Sequence, residues 1–214
     1  MSGWAAAPYT AALRDGGQLT LRGHDGWSCP LDVARWSAVA DAADLALLRR
    51  CDGPVLDIGC GPGRLVEALG TRGHRALGID INPGAVEATR LRGCHALRRS
   101  VFDRVPGAGR WGTALLIDGN IGIGGEPRTL LRRVARLVRP GGLLLAEAAP
   151  GEVDERRHVR LDAGSGAPGP AFPWARLGAR ALRREATAAG WACAETWTHR
   201  GRVFLTLTTP TGPG

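Results

Sequence analysis

Residues 54–63 read PVLDIGCGPG, a short apolar run that passes directly into a bend carrying glycines at 59, 61 and 63. Val55, Leu56 and Ile58 have the continuous apolar character of a strand covered on both faces, as in parallel sheets. The glycines let the backbone come close to another group, because no Cβ atoms stand in the way. Residues 64–69 have helical character, and the first N–H groups of such a helix have no partner within it and face the space above the bend. Seventeen positions after Gly63 comes Asp80, which closes a second apolar run, RALGID. A strand, a glycine bend, a helix and a second strand ending in a carboxylate make one half of a doubly wound α/β unit.

The rest of the chain continues the alternation. Strands are expected at 55–58, 75–81, 95–102, 113–118 and 143–148. Helices are expected at 64–69, at 83–91 behind a first-turn proline, and at 126–138 with Leu130, Leu131, Val134 and Leu137 on one face. Upstream, 17–31 has the look of a hairpin. Residues 32–50 read as one helix, since Trp36, Val39, Ala43, Leu47 and Leu48 recur at near-helical spacing. Downstream, 151–173 is polar and rich in Gly and Pro and is expected to be a loop, with a helix over 174–189. Residues 192–199 and 202–208 flank the tight turn His199-Arg200-Gly201, the spacing of an antiparallel hairpin. The βαβ alternation argues for a mostly parallel sheet covered by helices on both sides. At 214 residues the chain suits one compact unit with a sizeable core.

A carboxylate at the tip of the second strand is placed to accept hydrogen bonds from both ribose hydroxyls of a nucleoside. The dinucleotide fingerprint G-x-G-x-x-G is matched by Gly59 and Gly61 but fails at Arg64. A pyrophosphate there would also lie close to Asp57, which disfavours a nicotinamide oxidoreductase. A ligand carrying a cationic amine and a sulfonium would find that carboxylate favourable. LDIGCGPGR, with its D-x-G-x-G-x-G pattern, resembles motif I of the class I S-adenosylmethionine-dependent methyltransferases of small-molecule type, and the resemblance runs on to about Glu147.

That resemblance implies a Rossmann-like doubly wound α/β sheet of strand order 3-2-1-4-5-7-6, ending in an antiparallel hairpin. Residues 1–50 would form an N-terminal lid and 51–214 the S-adenosylmethionine-binding unit. Asp57, Gly59, Cys60, Gly61 and Gly63 would hold the methionine portion of the cofactor, and Asp80 and Ile81 its ribose. Ser100, Val101 and Phe102 would flank adenine; the usual acid of that position falls on Ser100, which weakens the contact, or shifts to Asp103. Asp118, Gly119 and Asn120, at the end of the fourth strand, would stand beside the methyl donor and the acceptor.

Methyl transfer is an in-line displacement at a sulfonium carbon, so the protein mainly has to align the reactants and exclude water. A general base is needed only where the acceptor must lose a proton. The candidates for catalytic work are Asp118, Asn120, His24 and His158, none in a diagnostic constellation. Seven tryptophans stand against three phenylalanines and one tyrosine. Tyr9, Trp27, Trp36 and Trp174 are candidates to line an acceptor pocket, with Arg176 available to an acceptor carboxylate; core packing explains any single one of them equally well.

Net charge is +8, and all 28 basic residues are arginine. They are spread through the expected helices without a long run, and no aromatic residues interleave with a basic stripe, which argues for solvated faces over a nucleic-acid surface. The sequence does not match the N-P-P-Y type of base-modifying enzymes. No apolar stretch suits a membrane span and no metal-ligating cluster stands out. Five scattered cysteines without a C-x-x-C pair point to free thiols in a reducing cytoplasm. The reading is therefore a cytoplasmic methyltransferase, monomer or homodimer, acting at O, N or C of a small organic acceptor in the biosynthesis of a specialised metabolite. A non-catalytic S-adenosylmethionine-binding regulator and an RNA methyltransferase are the alternatives.

Overall fold

Apolar side chains alternate between two faces along the central strands, and this alternation organises the structure. In a computed structural model that describes residue 4 and residues 7–164 and 169–211, the chain opens with helix α1 (Ala7–Asp15), strands β1 (Leu19–Gly23) and β2 (Ser28–Leu31), and helices α2 (Val33–Ser37) and α3 (Ala42–Leu48). The α/β core follows: β3 (Val55–Ile58), α4 (Arg64–Gly70), β4 (Ala76–Asp80), α5 (Pro83–Leu91), β5 (Ala96–Arg98), β6 (Trp111–Leu116), a 3-10 turn (Asn120–Gly122), α6 (Pro127–Ala135) and β7 (Val138–Ala148). Strands β8 (Asp154–Asp162) and β9 (Phe172–Leu177), helix α7 (Ala179–Ala188), and strands β10 (Ala192–His199) and β11 (Arg202–Thr208) complete it.

The larger sheet has seven strands in the order β10-β11-β7-β6-β3-β4-β5. Strands β7, β6, β3, β4 and β5 are parallel, and β11 and β10 add antiparallel at one side. Read from β5, this is the expected order 3-2-1-4-5-7-6. All four residues of β3 are buried, as a central strand requires. Leu56 and Ile58 face one apolar cluster with Leu116, Leu144 and Leu205, closed by α6 and α7. Val55 faces the opposite cluster with Leu115, Leu145 and Phe204, closed by Leu47 and Leu48 of α3 and Leu65 and Leu69 of α4. The period-2 pattern of each strand thus feeds both helical layers.

A second, four-stranded antiparallel sheet, β2-β1-β8-β9, differs from the expected loop over 151–173. Strand β8 pairs with β1 through Leu21↔Leu161 and with β9 through Val159↔Phe172. Leu19, Leu21, Val159, Leu161, Phe172 and Trp174 point from this sheet into one cluster with Tyr9 of α1. Trp174 therefore lies in a strand, and the helix expected from 174 begins at Ala179. Pro173 is tolerated because β9 is an edge strand. The expected helix over 32–50 is broken in two. Asp41 caps α3, accepting from Ala43 N and Asp44 N, and Val39 in the break is 77% exposed. The third strand is shorter than expected, and β7 starts earlier, at Val138.

Candidate active site

The C-terminal ends of β3, β4, β5 and β6 open into a cavity of about 670 Å³, roofed by Trp4, Tyr9, Trp36, Phe172 and Trp174. This is the edge of an open α/β sheet at which ligands bind. Its floor is the glycine bend. Gly59 has φ +73°, and a Cβ there would stand 2.7 Å from Asn120 Nδ2. Gly61 has φ +54° and lies beneath Tyr9, whose Oη is 3.3 Å from the place a Cβ would take. Gly63 is outside the cavity lining; it makes room for Thr89, whose Cγ2 would be 2.6 Å from a Cβ.

Asp57 is 2% exposed, lines the cavity and has no hydrogen-bond partner for its carboxylate among the described residues. Burial pushes its pKa up to about 7, against the pull of the Arg64 guanidinium. Asp80 accepts from Gly61 N at 3.0 Å and from Asn82 N at 2.8 Å, one bond to each oxygen. Burial raises it to about 6, with those backbone donors holding it down. The cap of α5 is Asn82, which accepts from Ala85 N. Asp80 is thus free of that structural duty.

Ile81, Ser100, Val101, Phe102 and Asp103 line the β5 side of the cavity together with Arg98 and Arg99. Val101 is 3% and Phe102 44% exposed. Cys60 also lines the cavity, and burial raises its thiol well above the ordinary range, so it remains a protonated filler.

Asp118 has φ +57° and its backbone N donates to Glu147 Oε2. Its carboxylate is gripped by Arg35 Nη1 at 2.7 Å and Arg64 Nη2 at 2.9 Å. Arg64, 3% exposed, also holds Asp44 through Nε at 2.7 Å, and Arg202 joins Asp44 to Glu147. Both carboxylate oxygens of Asp118 are thus ion-paired. Gly119 (φ +84°) turns the chain and stays out of the lining. Asn120 lines the cavity, donating from Nδ2 to Ile58 O and Gly59 O, both at 2.9 Å.

The remaining sequence-derived residues lie elsewhere. His24 sits exposed in the β1–β2 turn and His158 exposed on β8, opposite Pro173. Neither lines the cavity, and His158 lies on the face of β8 opposite Val159 and Leu161. Trp27 packs beneath the guanidiniums of Arg157 and Arg176 at 4.9 and 5.6 Å, and Arg176 is paired with Glu155 at 3.1 Å. Tyr9, Trp36 and Trp174 do line the cavity. Phe172 lines it beside Trp174, and Trp4, Arg64, Arg98 and Arg99 line it too without having been singled out as lining residues. For Arg64 the signal was present, since it follows the glycine bend directly; for Trp4 nothing local distinguishes it from core.

A model of a methyltransferase domain matches residues 55–142. Residues 55–142 are a methyltransferase domain by that match. A trans-aconitate 2-methyltransferase of Rhodococcus jostii is 36% identical over 109 residues, which cover 49% of this chain and only 41% of that relative. Among solved structures, an S-adenosylmethionine-dependent methyltransferase from Bacteroides fragilis in complex with S-adenosyl-L-homocysteine superposes with a TM-score of 0.76 at 23% identity, covering 97% of this chain and 94% of that one. The 1,6-didemethyltoxoflavin-N1-methyltransferase of Burkholderia thailandensis gives a TM-score of 0.61 at 20% identity, covering 84% and 81%. The methyltransferase domain's own residues fit the methyl donor of this family, S-adenosylmethionine. An unpartnered buried carboxylate, Asp57, suits its ammonium, and both Asp80 oxygens retain lone pairs for ribose hydroxyls. Among the described residues no helix is long and apolar enough to cross a membrane.

Proposed function

We propose that the protein transfers the methyl group of S-adenosylmethionine to a small organic acceptor in the biosynthesis of a specialised metabolite. The observation that carries this reading is the pair Asp57 and Asp80. Two buried acids, both raised in pKa, flank the Gly59–Gly61 bend on the floor of one cavity. Asp57 would take the ammonium, Asp80 the ribose hydroxyls, and Val101 with Phe102 one face of adenine. Gly59, Cys60, Gly61 and Ile81 would supply backbone and wall. The bound donor brings an activated leaving group, so the chain's own work is alignment and exclusion of water.

The lid is built from α1, Trp4, Trp36 and the β9 end of the smaller sheet, whose aromatic rings roof the cavity. Lid and larger sheet together support a small acceptor held beneath the aromatic roof. A polynucleotide substrate is disfavoured because Arg35, Arg64 and Arg202 are spent on buried acids, while Arg92, Arg156 and Arg184 are paired on the surface. The names of the similar proteins, which include a trans-aconitate and a toxoflavin-precursor methyltransferase, support a small-molecule acceptor.

Calorimetry with S-adenosylmethionine, S-adenosylhomocysteine and NAD tests the reading. Binding of the first two and not the third is expected. Saturable binding of NAD alone would overturn it, and donor binding without turnover of any acceptor would favour a regulator.

A further inference from the structure

Five aromatic rings meet over the cavity. Trp4 lies 5.3 Å from Tyr9, 6.3 Å from Trp36, 5.8 Å from Phe172 and 5.1 Å from Trp174, centroid to centroid. The rings belong to three separate stretches of chain, so the slot they wall exists only in the folded protein. Such a surface rewards a flat, apolar guest.

The β6 end of the cavity offers no free proton acceptor. The cavity's carboxylates are Asp57, Asp80, Asp103 and Asp118, and it contains no histidine, glutamate or lysine. On the reading proposed above, Asp57 and Asp80 hold the donor. Asp118 is gripped by Arg35 and Arg64, and Asp103 accepts from Ser100 N at the β5 end. Burial keeps the Tyr9 hydroxyl protonated far above neutral pH. The undescribed residues, 1–3, 5–6, 165–168 and 212–214, carry no carboxylate or imidazole side chain.

Nor does the β6 end offer a free cation. Arg64 is paired with Asp44 and Asp118. Arg98 closes β5 and Arg99 follows it, their backbones three strand spacings from β6, or ~14 Å. What the β6 end does offer is an oxygen. Asn120 Nδ2 donates to two carbonyls, so the amide orientation is fixed by chemistry: reversed, its oxygen would face Ile58 O and Gly59 O. Asn120 Oδ1 is left without a donor among the described residues, on a side chain that lines the cavity.

Resting on the methyltransferase reading, we infer that the acceptor is a flat aromatic or heteroaromatic amine that enters uncharged, with its N–H donating to Asn120 Oδ1 and its ring under the tryptophan roof. The nitrogen lone pair forms the new N–C bond as the donor's C–S bond breaks, and the bond's electron pair stays on sulfur. The cationic nitrogen then gives its proton to water, so no protein base is required. Asn120 acts as a positioning residue, and Trp4 and Trp174 set specificity.

Three probes on one scaffold test this: 3-aminoquinoline, 3-hydroxyquinoline and quinoline-3-carboxylate, titrated calorimetrically into protein saturated with S-adenosylhomocysteine. The amine is expected to bind tightest, and N,N-dimethyl-3-aminoquinoline, which lacks the N–H, to lose about tenfold in wild type and nothing in Asn120→Leu. Trp4→Ala and the milder Trp174→Phe should each weaken the amine about three- to tenfold, with S-adenosylhomocysteine binding retained as proof of fold. With S-adenosylmethionine kept saturating at every pH, turnover of the amine should be flat with pH above its own ionisation. Tightest binding of the carboxylate or the phenol, binding of none of the three, or indifference to both tryptophan variants overturns the inference. Loss of S-adenosylhomocysteine binding in the wild-type protein would instead remove the underlying reading.

Discussion

Asn82 Nδ2 donates to the carbonyl oxygen of Trp4 at 2.9 Å, across 78 positions of sequence. The same side chain caps α5 through Ala85 N and meets Thr10 Oγ1 at 3.1 Å, while its backbone N donates to Asp80. A fully buried amide thus ties the acid at the tip of β4 to the roof of the cavity. Asn82→Ala removes a cap and leaves Trp4 O without that donor. A loss of about 1–3 kcal/mol is expected in urea unfolding, together with a change in tryptophan fluorescence as Trp4 leaves the ring cluster.

Asp80→Ala should abolish most donor binding while leaving the fold intact. Two charge-assisted hydrogen bonds to ribose hydroxyls are worth about 2–4 kcal/mol together, or ~30- to 1,000-fold in affinity. The calorimetric Kd for S-adenosylhomocysteine checks this, and an unchanged value would remove Asp80 from the site.

The raised pKa values of Asp57, about 7, and Asp80, about 6, predict two opposite pH trends. In the ligand-free protein the folded state holds these protons more tightly than the unfolded chain does. Their contribution to stability is therefore full below pH ~4 and is lost as pH climbs through about 6 and then about 7. Thermal melts of the ligand-free protein should show this component falling between pH 5 and 8. Donor binding needs both acids ionised, so its affinity should rise over the same interval, with proton release visible when calorimetry is repeated in buffers of different ionisation enthalpy.

Asp44 is fully buried and carries Arg64 and Arg202, and their guanidiniums, acting against burial, hold its pKa down at about 2. Asp44→Ala would strand two arginines. A destabilisation of about 3–5 kcal/mol is expected, read as a lower urea midpoint at an unchanged m-value.

His24 and His158 stand outside the cavity. His24→Ala and His158→Ala should leave kcat/KM within about twofold of wild type, since surface substitutions away from such features change free energies by under about 0.5 kcal/mol. A tenfold fall in either variant would require a different lid arrangement.

Much of the architecture was legible from short stretches. The bend at 59–63, the strand at 55–58, the helix at Pro83–Leu91 and the hairpin of β10 and β11 depend on neighbours a few positions away, and those positions carry the signal. Strand β8 was not legible. Its inward residues include Glu155 and Arg157 alongside Val159 and Leu161, which blurs the period-2 pattern, and it pairs with β1 across the whole α/β core. The helix expected from Trp174 failed for a related reason: Phe172 and Trp174 are buried at strand spacing, and β8 supplies the partner.

The candidate site divides along the same line. The chain alone named the floor, since Asp57, the glycines and Asp80 follow one another within a single βαβ unit. It could not show that Asp118 is ion-paired, because Arg35 and Arg64 reach it from 83 and 54 positions away. Nor could it gather Trp4, Trp36 and Trp174 into one roof. Backbone geometry follows from local propensity and periodicity, which a linear sequence records, while the strand order was implied by the resemblance carried on LDIGCGPGR. Charge pairing and ring stacking depend on which distant segments the fold brings within a few ångströms, and only the tertiary structure decides that.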